Sequence, residues 1–175
     1  MSYTNIEIKA RTSGIEQIRQ YLIDNGADFK GVDHQLDTYF NVPKGRLKLR
    51  QGNIENSLIF YHRDNQPGPK QSDFELLLVN NGAELSSILA KAIGVRITVS
   101  KKREIYYIGN VKFHLDVLEH LGEFVEIEAT NIGTDFAIDK LKDQCNFYMK
   151  QFEINEVDLV PVSYSDLLDR LVNEE

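Results

Sequence analysis

Hydrophobic and polar positions alternate strictly over residues 3–11, with Asn5, Glu7, Lys9 and Arg11 on one face and Ile6, Ile8 and Ala10 on the other. Period two predicts a strand with one buried side. Over residues 14–26 the period becomes helical: Ile15, Ile18 and Leu22 form an apolar stripe, Ser13 stands where a cap would be, and Gly26 ends the pattern. From Gln35 onward the chain reads as short strands and turns: residues 37–41, a Pro43-Lys44-Gly45 turn, residues 46–51, 57–63 and 74–79. Between the last two lies a Pro/Gly-containing stretch, residues 64–73, which bears Lys70 and reads either as a ligand-contacting loop or as a solvated connection. A short helix over residues 83–93 stops at Gly94, and a long strand follows over residues 95–107. Gly109-Asn110 is a two-residue hairpin signal before a strand at residues 111–117. A glutamate-bearing strand at residues 124–128 and an amphipathic helix at residues 135–152 come next, and Leu167, Leu168 and Leu171 mark a last short helix. No repeat or linker interrupts the pattern, so residues 1–175 are expected to form a single domain.

About eight short strands with few helices predict an α+β chain, mainly β: a closed antiparallel eight-stranded barrel with flanking helices, because closure removes exposed edges. The apolar parity then meets the helices outside, and the charged parity turns inward. Any one charged face, taken alone, reads more simply as the solvated side of a half-buried sheet. Solvated faces, however, mix polar types and charge signs. Here Arg46, Lys48 and Arg50 share a face, Lys101 and Arg103 share another, and carboxylates gather at Glu7, Glu126 and Glu128.

Composition narrows the function classes. The chain has 175 residues, 42% of them hydrophobic, and a net charge of −7, which argues against a general nucleic-acid binder and makes any anion site a local feature. No apolar run is long enough to span a membrane, and a cytoplasmic protein is expected. The one cysteine, Cys145, falls in a helical set with Ile138, Leu141, Tyr148 and Phe152 and reads as core. His34, His62, His114 and His120 lack a close pair at metal-ligand spacing. His114 differs in position: it shares a face with Lys112 and Asp116, where it can donate to a phosphate or orient a carboxylate.

Cations converging at about 4 Å repel by roughly 4 kcal/mol per pair at an effective dielectric of 20, so a basic interior needs water, counter-charges or a polyanion. A triphosphate supplies that charge. Clustered carboxylates have the converse need, which a hard divalent cation meets while bridging to phosphate oxygens.

Glu7-x-Lys9, the run from Gly45 to Arg50, Lys101-x-Arg103, His114-Leu115-Asp116 and the run from Leu121 to Glu128 together resemble the CYTH domain, the triphosphate tunnel metalloenzymes, in order and over nearly the whole chain. Asp37-Thr38-Tyr39-Phe40 and the segment 114–128 are most similar to the class IV adenylyl cyclase-like branch. The resemblance implies an eight-stranded tunnel, a triphosphate or nucleoside triphosphate substrate, and dependence on Mg²⁺ or Mn²⁺. It further implies that Glu7, Glu126 and Glu128 take the metal and that Lys9, Arg46, Lys48, Arg50, Arg63, Lys101 and Arg103 bind phosphate. Asp116 would stand beside them as a polar wall group. The family's cation in the strand at residues 57–63 aligns with either His62 or Arg63, and Arg63 is assigned. At the start of the chain the family has Glu-x-Glu-x-Lys, whereas this chain has Asn5-Ile6-Glu7-Ile8-Lys9, so one negative charge is missing from the metal site.

Two reactions are compatible with such a site: cyclisation of ATP with release of pyrophosphate, and hydrolysis at the terminal phosphorus. In either, Lys9 holds phosphate or, with its pKa lowered by neighbouring cations, assists proton transfer. The alternative is a non-catalytic nucleotide- or polyphosphate-binding module, with Asn5 the mark of a degenerate metal site. No nucleic-acid or membrane partner is expected, and the apolar C-terminal helix leaves room for a homodimer.

Overall fold

The computed structural model describes residues 2–174. Eight strands run in chain order as β1 (Ser2–Arg11), β2 (Asp28–Phe40), β3 (Arg46–Gln51), β4 (Asn56–Arg63), β5 (Lys70–Leu78), β6 (Val95–Ile108), β7 (Val111–Leu118) and β8 (Gly122–Thr130). They close into one antiparallel barrel in the order β1-β5-β4-β3-β2-β6-β7-β8, with β1 bonded to both β5 and β8. Four helices flank it: α1 (Ile15–Asp24), α2 (Gly82–Ile93), α3 (Ile138–Gln151) and α4 (Tyr164–Glu174). Among the described residues, no helix is long and apolar enough to cross a membrane.

The alternation in the sequence becomes an inside-out core. Ile6, Ile8 and Ala10 of β1, Phe113 and Leu115 of β7, and Val125, Ile127 and Ala129 of β8 face outward. There they meet Ile15, Ile18 and Leu22 of α1 and Leu141 and Cys145 of α3, so the main hydrophobic core lies outside the barrel wall. Cys145 is packed in this layer, as its helical spacing predicts. The β6–β7 hairpin turns on Gly109, whose φ of +56° suits glycine.

A second apolar cluster caps one end of the barrel: Phe124, Val99 and Leu118 from the strands pack against Val160 and Val162 of the arm leading into α4 and Tyr164 at the start of that helix. Arg46 fastens that arm by donating to Ser163 and Asp166, and Arg96 pairs with Asp169. At the opposite mouth stand Ile54, Leu78 and Ile132, all exposed.

Two elements differ from the sequence pattern. β2 begins at Asp28 rather than Asp37, because a bulge between Phe29 and Gly31 breaks the alternation while pairing with β6 continues. The expected loop at residues 64–73 is shorter, since β5 starts at Lys70 directly after Pro69. Lys70 is therefore buried instead of sitting on a loop, and its ammonium group donates to the carbonyls of Val160 and Pro161 at 3.3 Å each.

Candidate active site

Strand parity sends the polar residues into a cavity of about 730 Å³. It is lined by the seven cations Lys9, Lys48, Arg50, Arg63, Lys101, Arg103 and Lys112 and the five carboxylates Glu7, Asp37, Glu55, Glu126 and Glu128, a formal excess of two positive charges in a chain of net −7. Register sets the side chains in rows across the wall. Lys9, Glu126 and His114 are direct neighbours on β1, β8 and β7, as are Glu7, Glu128 and Lys112 one step nearer the mouth, followed by Asn5 beside Thr130. β4 and β5 contribute a different wall, with Ile59, Phe74, Leu76 and Leu78 facing the same space.

The cations are distributed over carboxylate anchors. Arg50 grips Asp37 with two bonds of 2.9 and 2.8 Å, Lys101 donates to the same carboxylate at 2.7 Å, and Lys48 lies 3.6 Å away. Burial would raise the Asp37 carboxyl, but Arg50, Lys101 and Lys48 outweigh it and hold the group well below the usual carboxylate range. Burial, joined by Arg50, Arg103 and Lys48, brings Lys101 down to about 7 against the pull of Asp37. Arg103 forms a two-bond pair with Asp116 at 2.7 and 2.6 Å and reaches Glu126 at 3.2 Å, while Tyr164 donates its hydroxyl to Asp116 at 2.7 Å. Arg63 donates to Glu7. Lys9 sits 3.5 Å from Glu126 and 3.7 Å from the centre of the Tyr164 ring, and burial lowers its pKa, with Arg63 acting in the same direction.

The acidic side has one loosely held member. Glu128 is raised to about 7, first by burial and then by Glu7 and Glu126. Next to it, His114 presents Nδ1 to Glu126 Oε2 at 3.5 Å and to Glu128 Oε1 at 3.7 Å, and burial pushes its imidazole down to about 3. His114, Glu126 and Glu128 each offer a ligand atom within 4.8 Å of the others, a donor set that fits a metal ion. Glu7, across the same wall, is engaged by Arg63.

Of the residues assigned to the metal and phosphate site in the sequence, all except Arg46 and Asp116 line the cavity. Arg46 turns to the C-terminal arm, and Asp116 is completely buried behind Arg103. Several charged residues of the site carried no clear sequence signal. Asp37 is marked only by its place in the Asp37-Thr38-Tyr39-Phe40 motif, and Lys112 by parity with His114 and Asp116. Glu55 comes from a turn: Asp33 accepts from the Ile54 and Glu55 backbone amides at 2.9 Å each, and this folds Glu55 back onto Arg50 and Lys112. That turn needs Gly52, where a Cβ would come within 2.5 Å of Asp33 Oδ1.

The comparisons with known proteins agree with this architecture. No curated protein sequence matches the chain significantly. Among solved structures, the PH1012 protein of Pyrococcus horikoshii OT3 superposes with a TM-score of 0.76 at 24% identity, over 93% of this chain and 98% of that one. A candidate adenylate cyclase from Vibrio parahaemolyticus gives a TM-score of 0.77 at 19% identity, over 94% and 97%. HpAC1 from Hippeastrum, a candidate adenylyl cyclase with a dominant triphosphatase activity, gives 0.62 at 13%, over 96% and 95%. These likenesses are of fold. The family itself follows from the sequence profile of the CYTH domain, which matches residues 4–164: the chain belongs to the CYTH domain family, whose members are triphosphatases or adenylyl cyclase-like enzymes.

Proposed function

We propose that residues 1–175 form one cytoplasmic, metal-dependent enzyme that cleaves a nucleoside triphosphate inside the barrel. The observation that carries this reading is the sharing of one cavity by a cation-rich wall, a His/Glu cluster and an apolar wall. The cations suit a triphosphate chain, Arg by two-bond contact and Lys as a point charge. Ile59, Phe74, Leu76 and Leu78 suit an organic moiety that inorganic tripolyphosphate lacks. Glu126 and Glu128 would hold Mg²⁺ or Mn²⁺, and Asn5 offers a carbonyl oxygen that is buried without a hydrogen-bond partner. A divalent cation there supplies charge neutralisation at the phosphate oxygens. Arg103 and Arg63 would draw the chain against the β1–β8 wall, and Lys9, whose pKa burial lowers, would hold a phosphate oxygen or assist proton transfer from the attacking water or hydroxyl. Incubation with ATP, and separately with tripolyphosphate, in Mg²⁺ or Mn²⁺ tests the proposal, with products resolved by chromatography. Cyclic AMP with pyrophosphate identifies the cyclase, and orthophosphate a triphosphatase. Absence of turnover of both refutes an enzyme.

One observation favours a second reading, a non-catalytic polyphosphate-binding module. Asn5 stands where the family has a glutamate, and Glu7 is already paired with Arg63. Thermal stabilisation by nucleotide or tripolyphosphate without turnover, and turnover in Asn5→Glu, would identify it.

A further inference from the structure

We infer that His114 is a metal ligand in this chain, a neutral nitrogen donor beside Asn5, and that the site therefore selects a later first-row dication such as Co²⁺ or Zn²⁺ over Mg²⁺. This rests on the reading of the cavity as a metal-bearing triphosphate site. Three features of the site lead to it. His114 is 1% exposed, yet neither ring nitrogen has a hydrogen-bond partner, an arrangement that costs stability unless something fills the gap. The ring is aimed at the cluster, with Nδ1 facing one oxygen each of Glu126 and Glu128. Glu126 divides its oxygens: Oε1 is taken by Arg103 and Lys9, whereas Oε2 is directed at His114.

The donor set is then two carboxylate oxygens and one imidazole nitrogen, with the unpartnered Asn5 Oδ1 in the adjacent row. Mg²⁺ demands oxygen donors in near-ideal octahedral geometry and gives up water reluctantly, so a buried nitrogen adds little to its affinity. Later first-row dications gain from imidazole. A carboxylate at position 5 would move the balance toward the hard ion; Asn5 with His114 moves it away.

The test uses the full chain freed of metal, titrated with Co²⁺, Mn²⁺ and Mg²⁺ by calorimetry, with Co²⁺ also followed by its visible absorption and Mn²⁺ by pulsed EPR for coupling to a nitrogen nucleus. We expect Mn²⁺ to show that coupling and Co²⁺ to bind at least about tenfold tighter than Mg²⁺. His114→Gln should abolish the coupling and weaken Co²⁺ by about tenfold or more with little change for Mg²⁺. His114→Ala, checked for folding by circular dichroism, should behave alike. Metal binding without nitrogen coupling, or an equal loss for Co²⁺ and Mg²⁺ in both variants, overturns the role of His114 while leaving the proposed enzyme intact. Failure to bind any of the three ions overturns both.

Discussion

Asp37 offers a direct test of how the cavity's charge is held. Asp37→Asn keeps the shape and one carbonyl oxygen but removes the charge that Arg50, Lys101 and Lys48 share at 2.7–3.6 Å. Asp37 and Lys101 are almost wholly inaccessible to solvent, so bulk water cannot take over the counter-charge. Removing one partner of a buried ion pair costs about 3–5 kcal/mol, mostly from the uncompensated charge left behind. In a domain of this size that corresponds to a fall of on the order of 10 °C in melting temperature. The same three cations should then be available to an anion, so tripolyphosphate should restore more stability to the variant than to the unaltered protein, for which a hundredfold excess over Kd adds about 2.7 kcal/mol. Thermal and urea unfolding, each with and without tripolyphosphate, measure both effects. A variant as stable as the parent without anion, or one that gains no more from tripolyphosphate, would refute the view that Asp37 stands in for ligand charge.

Three other substitutions probe separate parts of the structure. Glu128→Gln should stabilise the protein at pH 8 and lose that advantage as pH falls below about 4.5. With a folded pKa of about 7 above the ordinary glutamate value of 4.5, the native state holds the proton more tightly than the unfolded chain. Stability therefore declines as pH rises between those values, by up to about 3 kcal/mol; urea unfolding across pH 4–8 reads it, and a constant difference between the two proteins would contradict the assignment. Tyr164→Phe removes the hydroxyl bond to Asp116 and should cost about 1–2 kcal/mol in urea unfolding, with Arg103 still pairing Asp116. Leu141→Ala, in the fully buried layer between α3 and the barrel, should cost about 2–5 kcal/mol, and a loss below 1 kcal/mol would mean that the outer layer is not the main core.

The outer half of the fold was legible because each strand of the β1–β8–β7 wall has one face against helices and one against the cavity, which prints period two into Asn5 to Arg11 and Phe124 to Glu128. The inward cations were legible for the same reason. Where an element is held by something other than a two-sided environment, the pattern fades. The first half of β2 is mixed because a bulge interrupts its facing, and Lys70 was hidden by the prolines that immediately precede its strand. Glu55 enters the cavity from a turn shaped by Asp33, and Tyr164 from the first position of α4, so neither had a strand face to announce it. Arg46 shares parity with Lys48 and Arg50, yet at the strand's end parity governs direction less than the arm that covers it.

The closed end and the open mouth together give the cavity a direction. Val160, Val162 and Tyr164 seal the end beyond Lys9 and Glu126, while Leu78, Ile54 and Ile132 surround the other. On the proposed reading, an organic triphosphate enters phosphate first, because its apolar part finds partners only along Phe74, Leu76 and Leu78 and at the mouth. The excess of two positive charges on the wall then matches a triphosphate that carries a divalent cation, of net charge about −2, better than the bare anion. This order would set the terminal phosphate nearest Lys9 and the α-phosphorus nearer Asn5 and Thr130, in a row that Arg63 shares, so that both phosphorus atoms would have a cation beside them.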